Sequence, residues 1–424
     1  MRIAATRWRH GAAVLGLATA TLACDSFLDV EDPTVIDSET VDPIQDLPTF
    51  ARSALQDLYD AFDNFIVYGA WLSGEMYVGD TFPTRNDIGR RVVEFTNGTL
   101  NGDVYEPLAF AISTNERVLE FLAESGTADK EIEANASFAS AYAILFEAES
   151  FCEVVISSGL HNLGPAITPE QAAGEAITRF DAAIAAADEA GMDTVMLAAY
   201  VGKARAHLFL GQYEQAVDAA GQVPAAFSYT VPKVDDPSFR GRLGNTVWNF
   251  TLARSSLVVP PYYRGLEDSR IKFRLWLNED GDPIKSQGNG FDFYAQEKYP
   301  AWSTSLRLAS GLEAQYIAAE AELALGNQAP ALALIAAREE AESNDGDDAD
   351  FLDDTGTLVQ LLDQKARDFW LEGTHLGDWR RNPSSTPYVP PAGSAYYATA
   401  VGGNIGNVTC FPLTRAEIDN NPNT

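Results

Sequence analysis

Apolar residues recur along most of the chain at spacings of three and four, the period of a helix with one buried face. Asn135–Ser158 carries Phe138, Tyr142, Leu145 and Phe151 at such intervals, and Gly159 follows as a stop. Thr168-Pro169 supplies a cap and a first-turn proline for a helix through Ile177, Phe180, Ile184 and Ala187 to Gly191. Ala198–Leu210 and Tyr213–Val223 form a predicted pair around Gly211. Gly311–Leu325 and Ala329–Ser343 repeat it around Gly326-Asn327, and a last helix is expected from Gly356 to Glu372. Three other stretches break the pattern. Gly69–Tyr105, Phe227–Pro300 and Pro383–Thr424 mix aromatics with turn residues such as Pro260-Pro261 and Asn289-Gly290, and predict loops and short hairpins over a helical body.

Two helix pairs share one spacing. Ala204, Gly211 and Ala216 stand at intervals matched by Ala319, Gly326 and Ala331. Small residues let helices approach closely, and glycine turns the chain between them, as in tetratricopeptide units. Such units stack and bury a continuous core. The fold class expected is therefore mainly α, with tetratricopeptide-like helix pairs as a scaffold, a loop-rich face and a few short strands. The helical repeats fall mainly in 104–226 and 304–376, and the loop-rich regions in 64–103, 227–303 and 377–424.

The N-terminus differs from the rest. Arg2, Arg7 and Arg9 precede an apolar run, Ala12 to Leu22, too short to span a bilayer as a helix. Ala23 then precedes Cys24. This is the layout of a secretory leader, residues 1–23, cut before a cysteine that takes lipid, with 24–47 as a tether and 48–424 as one body. Ordinary secretion with Cys24 as a bystander is the alternative.

The formal net charge is −32, with 46% apolar residues. So acidic a chain repels phosphate backbones and anionic surfaces, which excludes nucleic-acid binding from the leading readings. His161, His207 and His375 are too scattered to complete a zinc site with Cys152 and Cys410, so no metal or cofactor is expected. Those two cysteines either pair in an oxidising compartment or remain as two buried thiols. The acidic run Asn344–Asp354 lacks the alternating ligand spacing and glycine of a calcium loop and reads as a solvated connection. No nucleophile elbow or phosphate-binding glycine loop is present, and an enzyme is not expected. His207 falls on a packed helix face. In "LEGTHLGDWRR", Glu372, Asp378 and the arginines read as paired charges at a helix end, with Gly373 allowing the turn.

Several segments together resemble the SusD/RagB lipoproteins. "CDSFLDVEDP" resembles their mature start at Cys24, Phe27, Leu28, Asp29, Val30 and Pro33. "LEDSRIKFR" matches an Asp-x-Arg segment at Asp268 and Arg270, and "EAQYIAAEAELALGN" a helix carried by Glu313, Ala319, Glu320 and Ala321. "WLEGTHLGDWRR" and "FPLTRAEIDNNPN" resemble the late helix and the closing segment. The matches keep their order along the whole mature chain. The resemblance implies an outer-membrane lipoprotein anchored at Cys24. Its expected role is to bind oligosaccharides, or in some members peptides, and deliver them to a SusC-like TonB-dependent transporter. A helical scaffold that binds only proteins, and a surface glycosidase, are the competing readings.

No family motif transfers a ligand residue, so candidates come from chemistry. Sugars need flat rings for stacking and polar groups for their hydroxyls. The loop-borne candidates are Trp71, Tyr77, Asp80, Tyr262, Tyr263 and Trp302, whereas Trp248 and Trp276 read as interior.

Overall fold

In the computed structural model, residues 46–158, 162–286, 290–344 and 355–424 are described. Cys24, His161 and most of the acidic run 344–354 lie outside them.

Ten helices form the main body: α1 (Leu47–Ser73), α2 (Glu106–Ser125), α3 (Lys130–Ser150), α4 (Pro169–Ala190), α5 (Asp193–Phe209), α6 (Tyr213–Ala220), α7 (Gly311–Ala324), α8 (Ala329–Asn344), α9 (Thr357–Asp368) and α10 (His375–Arg381). From α1 to α9 each helix packs on the next in sequence, and α10 returns to α1 and α3. This sequential stacking is what a tetratricopeptide-like scaffold requires. The helix ends follow local chemistry. Thr168 accepts from Gln171 N while the Gln171 side chain accepts from Thr168 N, a capping box ahead of Pro169. Asp129 caps α3 and Ser310 caps α7. Gly191 ends α4 in the left-handed region, with φ of 68°.

The helix interfaces are lined by alanine. Ala134, Ala139, Ala143, Ala173, Ala176, Ala183, Ala198 and Ala204 are fully buried. At Gly202 of α5 an added Cβ would stand 2.3 Å from the Phe180 ring, so this close approach excludes any side chain. His207 is buried with Nδ1 2.7 Å from Gln212 Oε1, an interior histidine as expected.

The strands are short and form four antiparallel pairs: β1 (Tyr77–Val78) with β5 (Leu257–Val258), β2 (Val154–Val155) with β3 (Ala166–Ile167), β4 (Ser228–Val231) with β8 (Leu306–Ser310), and β6 (Phe273–Leu275) with β7 (Tyr294–Gln296). Pairs β1·β5 and β6·β7 join through Val259 N–H to Tyr294 O, 2.9 Å, and organise the loop-rich part.

Three sequence expectations need correction. The loop expected from Gly69 begins instead as helix: α1 runs on to Ser73, because Gly69 is packed against Leu376 and buried neighbours hold the turn. Further helical turns follow at Pro83–Gly89 and Leu100–Tyr105, the latter π-helical. Second, α3 ends at Ser150, so Cys152 is not mid-helix. It forms a disulfide with Cys410, with Cα atoms 5.2 Å apart at a sequence separation of 258. Phe151 and Phe411 beside them bridge in parallel, bringing the chain end onto α3. Third, the last predicted helix stops at Asp368, and Leu371 and Gly373 adopt positive φ before α10.

Candidate functional site

The charged segment "LEGTHLGDWRR" is structural. Glu372 takes Arg307 Nε at 2.7 Å and Lys298 Nζ at 2.6 Å; Asp378 takes Lys365 and Arg381, both at 2.7 Å. Those two cations hold the Asp378 carboxyl down near 2 despite burial. His375 is buried, with Nε2 3.0 Å from Pro387 O, and burial lowers its pKa. Residues 371–379 of this segment are buried, and Arg380 and Arg381 are half-buried.

The residues expected on loops divide into three groups. Trp71 is in the last turn of α1, 1% exposed, with Tyr68 and Phe250 edge-on to its ring. It is core and not loop, because α1 extends through it. Asp80 is likewise 1% exposed. Its Oδ2 takes Arg85 Nη1 at 2.7 Å and its Oδ1 takes Phe82 N at 3.1 Å. The exposed group at that turn is Phe82, 54% accessible, with the Arg85 guanidinium 4.5 Å from its ring centre. Asp80 thus positions Phe82 and Arg85.

Tyr77, Tyr262 and Tyr263 come together, although 185 residues separate Tyr77 from Tyr262. Tyr77 stands edge-on to Tyr262 at 5.9 Å and stacks on Tyr397. Tyr263 is fully buried against Tyr388 and Trp370. The Tyr262 hydroxyl donates to Gly74 O, and Tyr397 and Tyr396 join hydroxyls at 3.0 Å. Behind them lies Glu75, 2% exposed, whose Oε1 accepts Leu371 N at 2.8 Å. Burial pushes its pKa up to about 8. Tyr77, Tyr262 and Tyr397 keep half-buried rings, while Tyr263 belongs to the interior.

Trp302 stands apart from both groups and is the most open of the expected tryptophans. Its ring pairs with Trp248 at 4.6 Å between centres, inclined 47°, and both indoles are half-buried. Arg240 lies 5.3 Å from the Trp302 ring centre and is 44% exposed. The pair is fixed from behind. Trp248 Nε1 donates to Pro300 O at 3.0 Å, and Asn245 N donates to Trp302 O at 2.8 Å. A Cβ at Gly244 would stand 2.6 Å from the Trp302 ring. The result is a preorganised two-ring surface beside a guanidinium, suited to a ligand with apolar faces and hydroxyl edges.

Trp248, expected inside, was missed. The signal is Asn245, whose Oδ1 accepts Trp248 N at 2.8 Å. That cap starts a short helical turn and carries Trp248 outward, where strand-like alternation would have placed it inside. Tyr397 was missed because only long-range packing brings it to Tyr77. Among the described residues no group of three or more metal-ligating side chains forms, and no helix is long and apolar enough to cross a membrane.

No family model and no curated protein sequence matches the chain. Solved structures match in fold. A SusD/RagB family protein from Bacteroides thetaiotaomicron is 14% identical with a TM-score of 0.65, over 88% of this chain and 94% of its own. Surface glycan-binding protein A from Bacteroides uniformis is 13% identical with a TM-score of 0.61, over 88% and 98%. NanU from B. fragilis is 14% identical with a TM-score of 0.63, over 92% and 98%. The chain therefore has the SusD-like fold over nearly all the length of these proteins.

Proposed function

We propose that this chain is a binding protein of the outer-membrane surface, lipid-anchored at Cys24, that takes an oligosaccharide on its loop-rich face and passes it to a SusC-like TonB-dependent transporter. It is a binding role and not a catalytic one. The fold supports the class, since one structural neighbour is itself a surface glycan-binding protein. The observation that carries the ligand is the Trp248–Trp302 surface with Arg240 beside it: two rings held by backbone hydrogen bonds yet half-open to solvent. A ring fixed in advance loses little entropy when a sugar stacks on it. The anchor rests on the leader pattern before Cys24, and the transporter on the fold alone.

The test is calorimetry of the mature protein against a panel of neutral oligosaccharides. A binder should emerge, and Trp302→Ala should weaken it at least about tenfold, or about 1.4 kcal/mol, with the melting temperature nearly unchanged. If no glycan binds, or if the Trp248→Ala/Trp302→Ala double variant binds as wild type, the reading fails. Co-purification of a large barrel protein from detergent-solubilised envelope tests the transporter.

A further inference from the structure

A groove of about 1060 Å³ lies along α1 and α2 and is bounded by the 100–105 turn and the C-terminal segment. It shares no residue with the tryptophan surface or the tyrosine cluster. Its volume exceeds the range of roughly 300–1,000 Å³ typical of small-ligand sites, so it has room for an oligomer of several units.

One side is apolar: Phe50, Phe110 and Phe121, with Phe110 57% exposed. The Phe50 and Phe121 rings are 6.3 Å apart and tilted by 46°. They form an apolar crevice, with the Arg117 guanidinium over the Phe121 ring. Phenylalanine rings offer no hydrogen-bonding group of their own, so this crevice suits an apolar side chain.

The other side carries four carboxylates. Three are occupied. Asp57 takes the Thr114 hydroxyl at 3.0 Å and the Arg242 guanidinium. Glu106 takes Asn101 Nδ2 at 2.5 Å, and Glu417 takes Asn421 Nδ2 at 2.6 Å. The fourth, Asp60, has no direct hydrogen bond or ion pair among the described residues, although the charges of Lys233 and Arg242 act on it from farther off. Both arginines of the groove are engaged elsewhere: Arg242 on Asp57, and Arg117 on Glu120 at 2.6 Å and over the Phe121 ring at 4.0 Å. Asn101 Oδ1 is a buried acceptor with no donor. The groove's acceptors without a hydrogen-bond partner are thus a carboxylate and an amide oxygen, and both suit N–H donors, a cationic one at the carboxylate.

We infer that this groove binds an extended peptide with a basic side chain, whose cation meets Asp60 while a neighbouring apolar side chain enters the Phe50–Phe121 crevice. A peptide supplies all three complements: a cation, apolar side chains and backbone N–H groups. The net charge of −32 steers such a ligand inward. The site is independent of the oligosaccharide reading.

Its pH dependence follows from Asp60 and its neighbours. On α1 these are Asp57 and Asp63; facing them are Lys233, 2.5 Å from Asp63, and Arg242 on Asp57. Burial and the Asp63 charge raise the Asp60 carboxyl to about 6, so the groove loses this charge as pH falls below that value.

The probe is the pentapeptide acetyl-Gly-Phe-Lys-Phe-Gly-amide, titrated by calorimetry into the mature protein at pH 7.5, alongside the same peptide with Nε-acetyl-lysine. Binding of the lysine peptide is expected, weakened about tenfold or more by lysine acetylation, by Asp60→Asn, and in wild type at pH 5. Phe110→Ala should weaken both peptides, and Trp302→Ala neither. Asp60→Asn should leave oligosaccharide binding intact. Absence of binding up to millimolar peptide, equal binding of the two peptides, or wild-type affinity in Asp60→Asn overturns the proposal. Loss of peptide binding in Trp302→Ala also overturns it, by moving the peptide to the loop-rich face.

Discussion

The helical wall and the loop-rich face solve opposite problems with different residues. The wall is closed by small side chains: alanine lines α3, α4 and α5, and glycine at 202 admits the Phe180 ring. Its charges are sealed in pairs, as Arg205 shows. That residue, 5% exposed, donates Nε to Glu149 Oε1 at 2.7 Å and Nη2 to Glu149 Oε2 at 2.5 Å, and reaches Glu313 at 3.4 Å. The face is built from large rings on short strand pairs, and its charges stay wet, as Arg240 does beside Trp302. The contrast shows why one side is sealed and the other keeps rings open to solvent. Close packing of α3, α4 and α5 on one another leaves no room for a guest there, and half-buried rings leave a surface unfilled.

The largest test of that contrast is to remove a cation from each side. Arg205→Ala leaves Glu149 and Glu313 buried and unpaired, and should cost about 3–5 kcal/mol in urea unfolding. Arg240→Ala should cost less than about 1 kcal/mol by the same measurement. Equal losses would break the comparison. A smaller effect distinguishes packed from open backbone within one helix layer. Gly202→Ala drives a methyl into the Phe180 and Tyr142 rings and should destabilise by about 1–3 kcal/mol. Gly174→Ala meets nothing within 4 Å and should gain up to about 1 kcal/mol from helix propensity. Thermal melts of the two variants should therefore shift in opposite directions.

The last test concerns Glu75, between wall and face. Its folded pKa of about 8 lies above the ordinary 4.5, so the folded chain holds this proton where the unfolded chain has released it. Stability from this group is complete below about pH 4.5 and is lost as pH rises towards 8. Glu75→Gln keeps an oxygen for Leu371 N and should flatten that slope, seen as urea midpoints that fall less between pH 5 and 8.5. An unchanged slope would show that the buried carboxyl is already ionised.

Helix pairing was legible because its signals are local. Thr168-Pro169, Gly191, Gly211 and Gly326 act within a turn of where they stand, and the predicted helices α4 to α8 begin or end within a few residues of them. The first helix was missed in part because Gly69 counts as a breaker only when exposed; here Leu376, over 300 residues on, packs against it. The candidate site was less legible still. An aromatic in a turn-rich stretch is equally suited to core and surface, and Trp71 and Trp248 exchanged those roles. Asp80 was chosen for its charge, but Arg85, five residues later, neutralises it.

The sequence by itself determined the helical class, the small-residue seams and the caps, because period and capping depend on neighbours within a few residues. Only the tertiary structure decided that Cys152 meets Cys410, that Tyr77 meets Tyr262 and Tyr397, and that Trp248 rather than Trp71 stands beside solvent. Those outcomes depend on which distant segments close over a side chain, and burial is a property of the assembled packing, not of any residue type.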